Sequence, residues 1–370
     1  MALSPLTEDF FDFDIVPVAR KIHSDEELRR GRSMDEILEQ VAMANNGSDC
    51  FSGVIVKHPG SPDMYDYETV ARGAGPSSTT GFAHQSAAQQ AIKIQMLAKA
   101  VDGWIVPTSI CLEPVGVPYW REYFKKHGQE LFTVGPQALG WLDTAPTAPT
   151  NPVVHAFLES SLSQFGAKSV LYISFGSIAF PAATPDLVTA LVDTLLALEP
   201  RFPFIFALGN EIAALSSELT ERVHLSGKGL ICDFWVEQRA ILQHAAVGWF
   251  LTHGGYNSLT EGLCQGIPLI MWPVFAEQPL NAALFSSGPN PVAFELMQIR
   301  TGTQCAPSLR GGPAITGTVE DALAEFRATF EAARGARGAA LQENAEIMAR
   351  ALQEARAGEF QDALTRLARF

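Results

Sequence analysis

The sequence has few charged residues, no long apolar run and no signal-peptide pattern. Only 18% of its 370 residues are charged, and 47% are apolar. No apolar run approaches the roughly 18 residues that a membrane-spanning helix needs. Residues 1–10 lack the basic and apolar regions of a secretory signal peptide. These absences favour a globular protein with no transmembrane segment, and they predict a soluble protein in the cytoplasm.

Signals for disulfides, metal sites and nucleic-acid binding are missing as well. The cysteines are odd in number and scattered, with no C-x-x-C motif and no histidine pair at zinc-ligand spacing; they are Cys50, Cys111, Cys232, Cys264 and Cys305. This pattern is typical of free thiols in a reducing compartment, and it predicts no metal site. A net charge of −14 argues against a nucleic-acid partner. An anionic ligand would need a local site, such as a helix N-terminus.

Two common nucleotide-binding motifs are also absent. No G-x-G-x-x-G opens a helix after a predicted strand, and no G-x-x-x-x-G-K is present. The first absence argues against a dinucleotide-dependent dehydrogenase, and the second argues against a P-loop enzyme. No bound cofactor is therefore expected.

Strands and helices alternate regularly in the second half of the chain. The predicted strands are 170–174, 204–208, 247–252 and 269–273. The predicted helices begin at Pro185, near Glu237, after Asn257 and at Glu277, and residues 320–370 are helical throughout. This alternation predicts a parallel sheet with helices on both faces, which is an α/β fold.

The first half predicts far fewer strands. Residues 104–106 and 131–134 are short apolar runs, and 34–43 and 83–101 have helical patterns. Two or three strands are too few for a full doubly wound domain. Residues 138–152 contain repeated prolines, which favour a linker at this point.

Three turns that follow predicted strands are small and polar. They are Phe175-Gly176-Ser177, the run His-Gly-Gly-Tyr-Asn-Ser at 253–258, and Phe275-Ala276-Glu277-Gln278. Because parallel strands end at one edge of a sheet, these turns are expected to face one crevice. The glycines and short polar side chains suit a phosphate, and the carboxylate and amide of the third turn suit sugar hydroxyls.

Each residue of these turns also has a simpler structural explanation. Ser258 and Glu261 fit an ordinary helix capping box, and Glu277 could complement a helix dipole. His253 could be a satisfied loop histidine, and Trp235 could be a core or interface aromatic.

The segment from Trp235 to Gln278 resembles the signature of a known family, the inverting UDP-dependent glycosyltransferases of the GT-B fold, of the plant secondary-product and fungal type. It is 44 residues long, which is the family's spacing without insertion. The matches within the segment are Gln238, His244, His253, Gly255, Asn257, Ser258, Glu261, Gly266, Pro268 and Pro273, and Asn281 matches just after it. The resemblance extends back through 170–177 and 132–136, and it covers the chain from about residue 101 onward.

The resemblance implies a UDP-sugar as co-substrate. Trp235 would stack on uracil, while the backbone of Val236 and Gln238 would read the edge of the base. Glu261 would hold the ribose hydroxyls. The residues that would bind the diphosphate are Ser177, His253, Asn257 and Ser258.

By the same resemblance, Glu277 and Gln278 would bind the hydroxyls of the sugar. A glutamine at the last position of the segment favours glucose as that sugar. Gly254 and Tyr256 replace the cysteine and tryptophan that are commoner in the family. The implied reaction is metal-independent transfer of a hexose, with inversion, to a hydroxyl of a small hydrophobic, phenolic or alcoholic acceptor.

The resemblance also implies two Rossmann-like domains that face a cleft, of which the N-terminal one is expected to be incomplete. It divides the chain into a partial acceptor domain (1–137), a linker (138–152), a donor domain (153–357) and a C-terminal helix that returns to the first domain (358–370). The family's catalytic base is a histidine near the chain start. His23, His58 and His84 are interpreted as solvated or structural, so no catalytic residue is assigned.

An alternative interpretation is non-catalytic. A chain with a complete donor half and a short acceptor half could be a UDP-sugar-binding fragment. It could also be the donor subunit of a split transferase, in which a partner chain supplies the base.

Overall fold

The structure is a computed structural model that describes residues 15–38, 53–69, 96–209 and 212–370. Its first half contains two small sheets, one antiparallel and one parallel. The strands are β1 (Ile55–Val56) paired with β2 (Met64–Tyr65), and β3 (Gly103–Val106) paired with β4 (Glu130–Thr133). The helices are α1 (Ile15–Ser24), α2 (Glu26–Arg29) and α3 (Gly116–Lys126). The two predicted strands of this half are confirmed as a parallel pair. Residues 34–38 and 96–100 are helical, which agrees with the described parts of the helical patterns at 34–43 and 83–101.

The second half is built on a six-stranded parallel sheet. Its strands are β5 (Val170–Ser174), β6 (Phe204–Ala207), β7 (Gly229–Cys232), β8 (Val247–Thr252), β9 (Leu269–Met271) and β10 (Ala293–Glu295). They lie in the order β10-β9-β8-β5-β6-β7. Every residue of β5 and β8 is buried, as expected for strands covered on both faces. Numbered from β5, this is the strand order of doubly wound dinucleotide-binding folds, which confirms the α/β prediction.

Helices on both faces enclose this sheet. They are α4 (Pro152–Phe165), α5 (Pro185–Ala197), α6 (Ser217–Ser226), α7 (Gln238–Leu242), α8 (Tyr256–Cys264), α9 (Gln278–Ser286), α10 (Val319–Ala333) and α11 (Ala336–Ala355). The last helix, α12 (Gln361–Leu367), lies against β4 instead. The start of α5 at Pro185 is confirmed. Thr184 is the N-cap residue of this helix, although its hydroxyl donates to the Pro181 carbonyl (3.3 Å) and makes no capping bond.

The sequence patterns missed the two edge strands, β7 and β10. β7 begins with a glycine and buries only Cys232, and β10 is three residues long. A strand at the edge of a sheet has fewer neighbours, so it does not need the continuous apolar run that predicted β5 and β8. Helices α4 and α6 were missed as well.

The proline-rich stretch 138–152 is less irregular than its composition suggests. Its beginning lies in a 3₁₀ helix (Gln137–Asp143) in which Leu139 is buried. Arg356 binds the Asp143 carboxylate (2.6 Å), and the Arg239 guanidinium donates to the Trp141 carbonyl (2.8 Å). Contacts with distant parts of the chain therefore order this segment, and the position of a domain boundary there stays a prediction.

The last residues of the chain contact the parallel pair β3 and β4. The Glu359 carboxylate accepts hydrogen bonds from the Ser109 hydroxyl (2.7 Å), the Thr133 hydroxyl (2.7 Å) and the Ile110 N–H (3.2 Å). The Phe370 ring packs edge-on against Phe132, with centroids 5.3 Å apart. Residues far apart in sequence are thus tied through one carboxylate.

Replacing Glu359 with alanine should lower the free energy of unfolding by about 1–3 kcal/mol, because three donors lose their acceptor. Glu354→Ala, at an exposed position five residues earlier, is the matched control and should change it by less than about 0.5 kcal/mol. Urea unfolding measures both. Equal effects of the two variants would contradict a tie through Glu359.

Two further expectations can be compared with the structure. Four of the five cysteines lie among the described residues, and all four are free thiols, whereas Cys50 lies outside them. Within the part of the chain that the structure describes, no helix combines the length and apolar character needed to cross a membrane.

Candidate functional site

The loops that follow four parallel strands emerge at one edge of the large sheet. Trp235 follows β7, Ser177 follows β5, His253 follows β8, and Glu277 follows β9. Between β5 and β8 the strand order reverses, so the two loops there turn toward opposite faces and leave a crevice. All three polar turns expected from the sequence therefore end at the same edge.

The His253 imidazole fills the space between two glycines. A Cβ atom at Gly176 would lie 2.9 Å from Cε1 of His253, and a Cβ atom at Gly255 would collide with its Nε2. Gly176 also has a φ of +77°, which favours glycine. These two positions need glycine so that the turn after β5 and the start of α8 can approach the same ring.

Burial lowers the pKa of His253 to about 4, so the ring is neutral at physiological pH. Its Nδ1 lies 3.3 Å from the Thr252 hydroxyl. A neutral imidazole offers one N–H donor but no positive charge to a phosphate. At this edge, attraction for an anion comes from the first turn of α8, where the N-cap is Gly255 and no side chain caps the backbone N–H groups.

The lowered pKa of His253 predicts a pH dependence of stability. The unfolded chain, with a histidine pKa near 6.5, binds the proton more readily than the folded one. Stability should be complete above about pH 6.5 and decline as the pH falls toward 4, relative to His253→Gln. Urea unfolding of both proteins across this range measures the difference. His224→Gln, at an exposed histidine of α6, is the control. If the free energy of unfolding varied with pH in the same way for wild type and His253→Gln, the lowered pKa would not belong to His253.

Trp235 projects from the loop after β7 with 79% of its surface exposed. The interpretation of this residue as a core aromatic is therefore wrong. Val236 beside it is buried, and the Gln238 amide at the start of α7 donates to the Glu261 carboxylate on α8. Burial raises the pKa of Glu261, and its bond from Gln238 opposes that rise. The loop carrying the indole is thereby fixed against the helix that follows His253.

The capping-box explanation of Ser258 is also wrong. Gly255 is the N-cap of α8, Ser258 is buried in the first turn, and the Glu261 side chain bonds to Gln238 instead of the helix start. Asn257 is exposed at the same turn. Neither the serine nor the carboxylate is used for capping.

One of the two polar side-chain atoms of Gln278 is hydrogen-bonded to the loop that precedes it. Its Oε1 accepts hydrogen bonds from the N–H groups of Val274 (2.8 Å) and Phe275 (2.9 Å), and the residue is 3% exposed. Only the amide nitrogen could therefore meet a sugar hydroxyl. Glu277, half-buried at the N-cap of α9, makes no capping bond with its side chain.

Two side chains tie these loops to their surroundings. Asn281 on α9 donates to the Gly254 carbonyl (2.9 Å), which joins the third turn to the second. Tyr256 donates to the Pro107 carbonyl just after β3 (2.9 Å), so the start of α8 is held to the first half of the chain. Asn281 was a match to the family signature, but neither bond had a sequence signal.

The histidines of the first half remain without a catalytic assignment. His23 lies in α1, and His58 lies in the loop between β1 and β2. His84 lies outside the described residues. Among the residues that the structure describes, no three His, Cys, Asp or Glu side chains are grouped to hold a metal ion.

Comparison with known proteins gives one family. The family model described as UDP-glucoronosyl and UDP-glucosyl transferase matches residues 120–301. UDP-glycosyltransferase eriJ of Hericium erinaceus is 31% identical over 329 residues, which is 82% of this chain and 59% of the relative. Nuatigenin 3-beta-glucosyltransferase of Solanum aculeatissimum is 45% identical over 119 residues, which is 32% of this chain and 23% of the relative. The chain thus spans less than two thirds of the length of these relatives.

A solved structure shares the fold. A UDP-glucosyltransferase from Polygonum tinctorium, solved in a complex with 3,4-dichloroaniline, superposes with a TM-score of 0.61 at 22% identity, and covers 97% of this chain and 74% of its own. That likeness establishes the GT-B fold. The matched family model, the relatives and the signature segment along the carboxyl edge of the sheet together support a UDP-glycosyltransferase family for this chain.

Proposed function

We propose that this protein binds a UDP-sugar along the carboxyl edge of the large sheet and transfers a hexose to a hydroxyl of a small-molecule acceptor. Glucose is the favoured sugar. The proposal rests mainly on one observation. At one edge of a single parallel sheet, the loops after its strands bring together the exposed Trp235, the Gln238–Glu261 pair and His253. In support, the Solanum relative is by name a glucosyltransferase, and the Polygonum enzyme is described as glucosylating indoxyl.

The uridine would lie at the β7 side of the crevice. An exposed indole gives a flat apolar face, and stacking on a base typically contributes about 1–3 kcal/mol. The backbone of Val236 and Gln238 would read the edge of uracil. The Glu261 carboxylate, which the Gln238 amide holds in place, would accept hydrogen bonds from the ribose hydroxyls.

The diphosphate would lie at the start of α8. The uncapped N–H groups of its first turn attract negative charge, and the neutral His253 can add one hydrogen bond. Ser177, Asn257 and Ser258 supply short polar side chains beside them. Glu277 and the amide nitrogen of Gln278, after the next strand, would bind the sugar hydroxyls.

This arrangement suits displacement at the anomeric carbon. The acceptor oxygen would form its bond to that carbon from the face opposite the diphosphate as the bond to UDP breaks, so the configuration inverts. The helix N-terminus would stabilise the negative charge that develops on the departing diphosphate, without a metal ion. The proton of the acceptor hydroxyl must pass to a base, and no described residue is given that role.

The non-catalytic alternative, a UDP-sugar-binding fragment or the donor subunit of a split enzyme, is not favoured by the relatives. It remains testable because β3 exposes 57% of Ile105 at its centre, where a further element could pack. A location in the cytoplasm stays a prediction from the sequence.

Binding and turnover distinguish these functions. UDP at a hundredfold excess over its Kd should raise the free energy of unfolding by about 2.7 kcal/mol, as thermal melting measures. Release of UDP from UDP-glucose, with and without phenolic or alcoholic acceptors and with EDTA added, then tests transfer and metal independence. Absence of UDP stabilisation would contradict the donor site. Stabilisation without transfer to any acceptor would support the binding module.

A further inference from the structure

A buried tyrosine lies behind the carboxylate that would hold the ribose. Tyr172, in the middle of β5, is 1% exposed, and its ring stacks on Phe250 of β8 with centroids 5.2 Å apart. Its hydroxyl lies 3.1 Å from Oε1 of Gln238. Neither the sequence motifs nor the comparisons give this hydroxyl a role.

The three side chains form a relay with one consistent direction. The Tyr172 hydroxyl donates to the Gln238 carbonyl oxygen, and the Gln238 amide nitrogen donates to Oε2 of Glu261. If the amide were reversed, its oxygen would face the carboxylate, and two acceptors would meet. The Glu261 carboxylate therefore selects the amide orientation that presents an N–H group to it, and the Tyr172 hydroxyl holds the amide in that orientation by donating to its oxygen. Burial raises the pKa of Tyr172, so the hydroxyl keeps its proton.

The relay fixes one oxygen of Glu261 and leaves the other for a ligand. Among the described residues, the structure records no hydrogen-bond partner for Oε1 of Glu261, while Oε2 is held by Gln238. A carboxylate held at one oxygen has a defined orientation for the second. Tyr172 itself is too deeply buried to touch a nucleotide.

We propose that Tyr172 is a positioning residue for ribose recognition, which acts through Gln238 to orient Glu261 toward the 2′ and 3′ hydroxyls. This inference rests on the proposed function, because it refines the same donor site. It assigns part of the preference for a ribonucleotide over a 2′-deoxyribonucleotide to a residue that makes no contact with either.

The test compares the affinities of wild type and Tyr172→Phe for UDP and for 2′-deoxy-UDP by calorimetry. Phenylalanine keeps the stacking on Phe250 and removes only the hydroxyl. We expect UDP to bind roughly three- to tenfold more weakly, the range set by loss of one hydrogen bond, and 2′-deoxy-UDP to change by less than about twofold. The preference for UDP should therefore shrink by the same factor. A general loss of stability would instead weaken the binding of both ligands equally and leave the preference unchanged.

The matched control is Tyr67→Phe, which removes another tyrosine hydroxyl, bonded to the Pro307 carbonyl (2.6 Å), and should leave both affinities unchanged. If Tyr172→Phe does not fold, Gln238→Leu breaks the same relay and should reduce the same preference. If wild type binds UDP no better than 2′-deoxy-UDP, the proposed role of Glu261 fails. If wild type discriminates and neither variant changes the ratio, the relay is overturned while the donor site stands.

Discussion

Trp235→Ala should weaken UDP binding by roughly ten- to a hundredfold and leave the free energy of unfolding almost unchanged. The indole is 79% exposed, so its removal costs little packing in the free protein. In the proposed complex the same face covers uracil, and the loss of stacking falls entirely on binding. Calorimetric titration with UDP and urea unfolding of the variant measure the two quantities separately.

A suitable control for Trp235→Ala is Phe165→Ala, an exposed aromatic at the end of α4. It should leave UDP affinity at the wild-type value. Trp235→Phe keeps a smaller aromatic face and should recover part of the binding. An affinity of Trp235→Ala within twofold of wild type would remove the uracil platform from the proposed site.

Glu295→Ala should lower the free energy of unfolding by about 3–5 kcal/mol, because it removes the carboxylate shared by the buried Arg300 and the partly buried Arg310. Glu295, whose side chain is 5% exposed, ends β10. It pairs with Arg300 (3.0 Å) and, through both oxygens, with Arg310 (2.6 and 3.0 Å). Water can take the place of a carboxylate in a surface ion pair, but it cannot readily do so for the buried Glu295 carboxylate.

Glu346→Ala is the matched control, since it breaks the half-exposed pair between Glu346 and Lys168. Exposed pairs contribute about 0–1 kcal/mol, so this variant should unfold close to wild type. Urea unfolding of both proteins provides the comparison. A loss below about 1 kcal/mol for Glu295→Ala would mean that water reaches the two arginines in the variant.

The same buried cluster connects the β1–β2 hairpin to the donor half. Glu68 accepts hydrogen bonds from the Ser308 hydroxyl and the Leu309 N–H (3.0 Å), beside Arg310. Met64 of the hairpin packs against Leu280 and Ala283 of α9, the helix that begins at Gln278. The hairpin therefore packs against the helix that carries the candidate sugar-binding amide.

Local patterns predicted the central elements and the turns between them. Strands such as β5 and β8 are continuous apolar runs because both faces of a parallel sheet are covered, and that requirement is visible in any short window of sequence. The turns of the candidate site are equally local, because close approach to a helix N-terminus requires glycine and short polar side chains. The spacing from Trp235 to Gln278 then carried the family resemblance.

The sequence by itself thus determined the α/β class, the central strands and the set of residues at one sheet edge. Only the tertiary structure decided that Trp235 is exposed and that the side-chain oxygen of Gln278 accepts hydrogen bonds from its own loop. It also decided that Tyr172 is linked to Glu261 through Gln238. It also decided that Glu359 binds the turn after β3. These contacts join residues distant in sequence, so they depend on strand order and packing. A local pattern records neither, because it encodes only the periodicity and turn chemistry of its own segment.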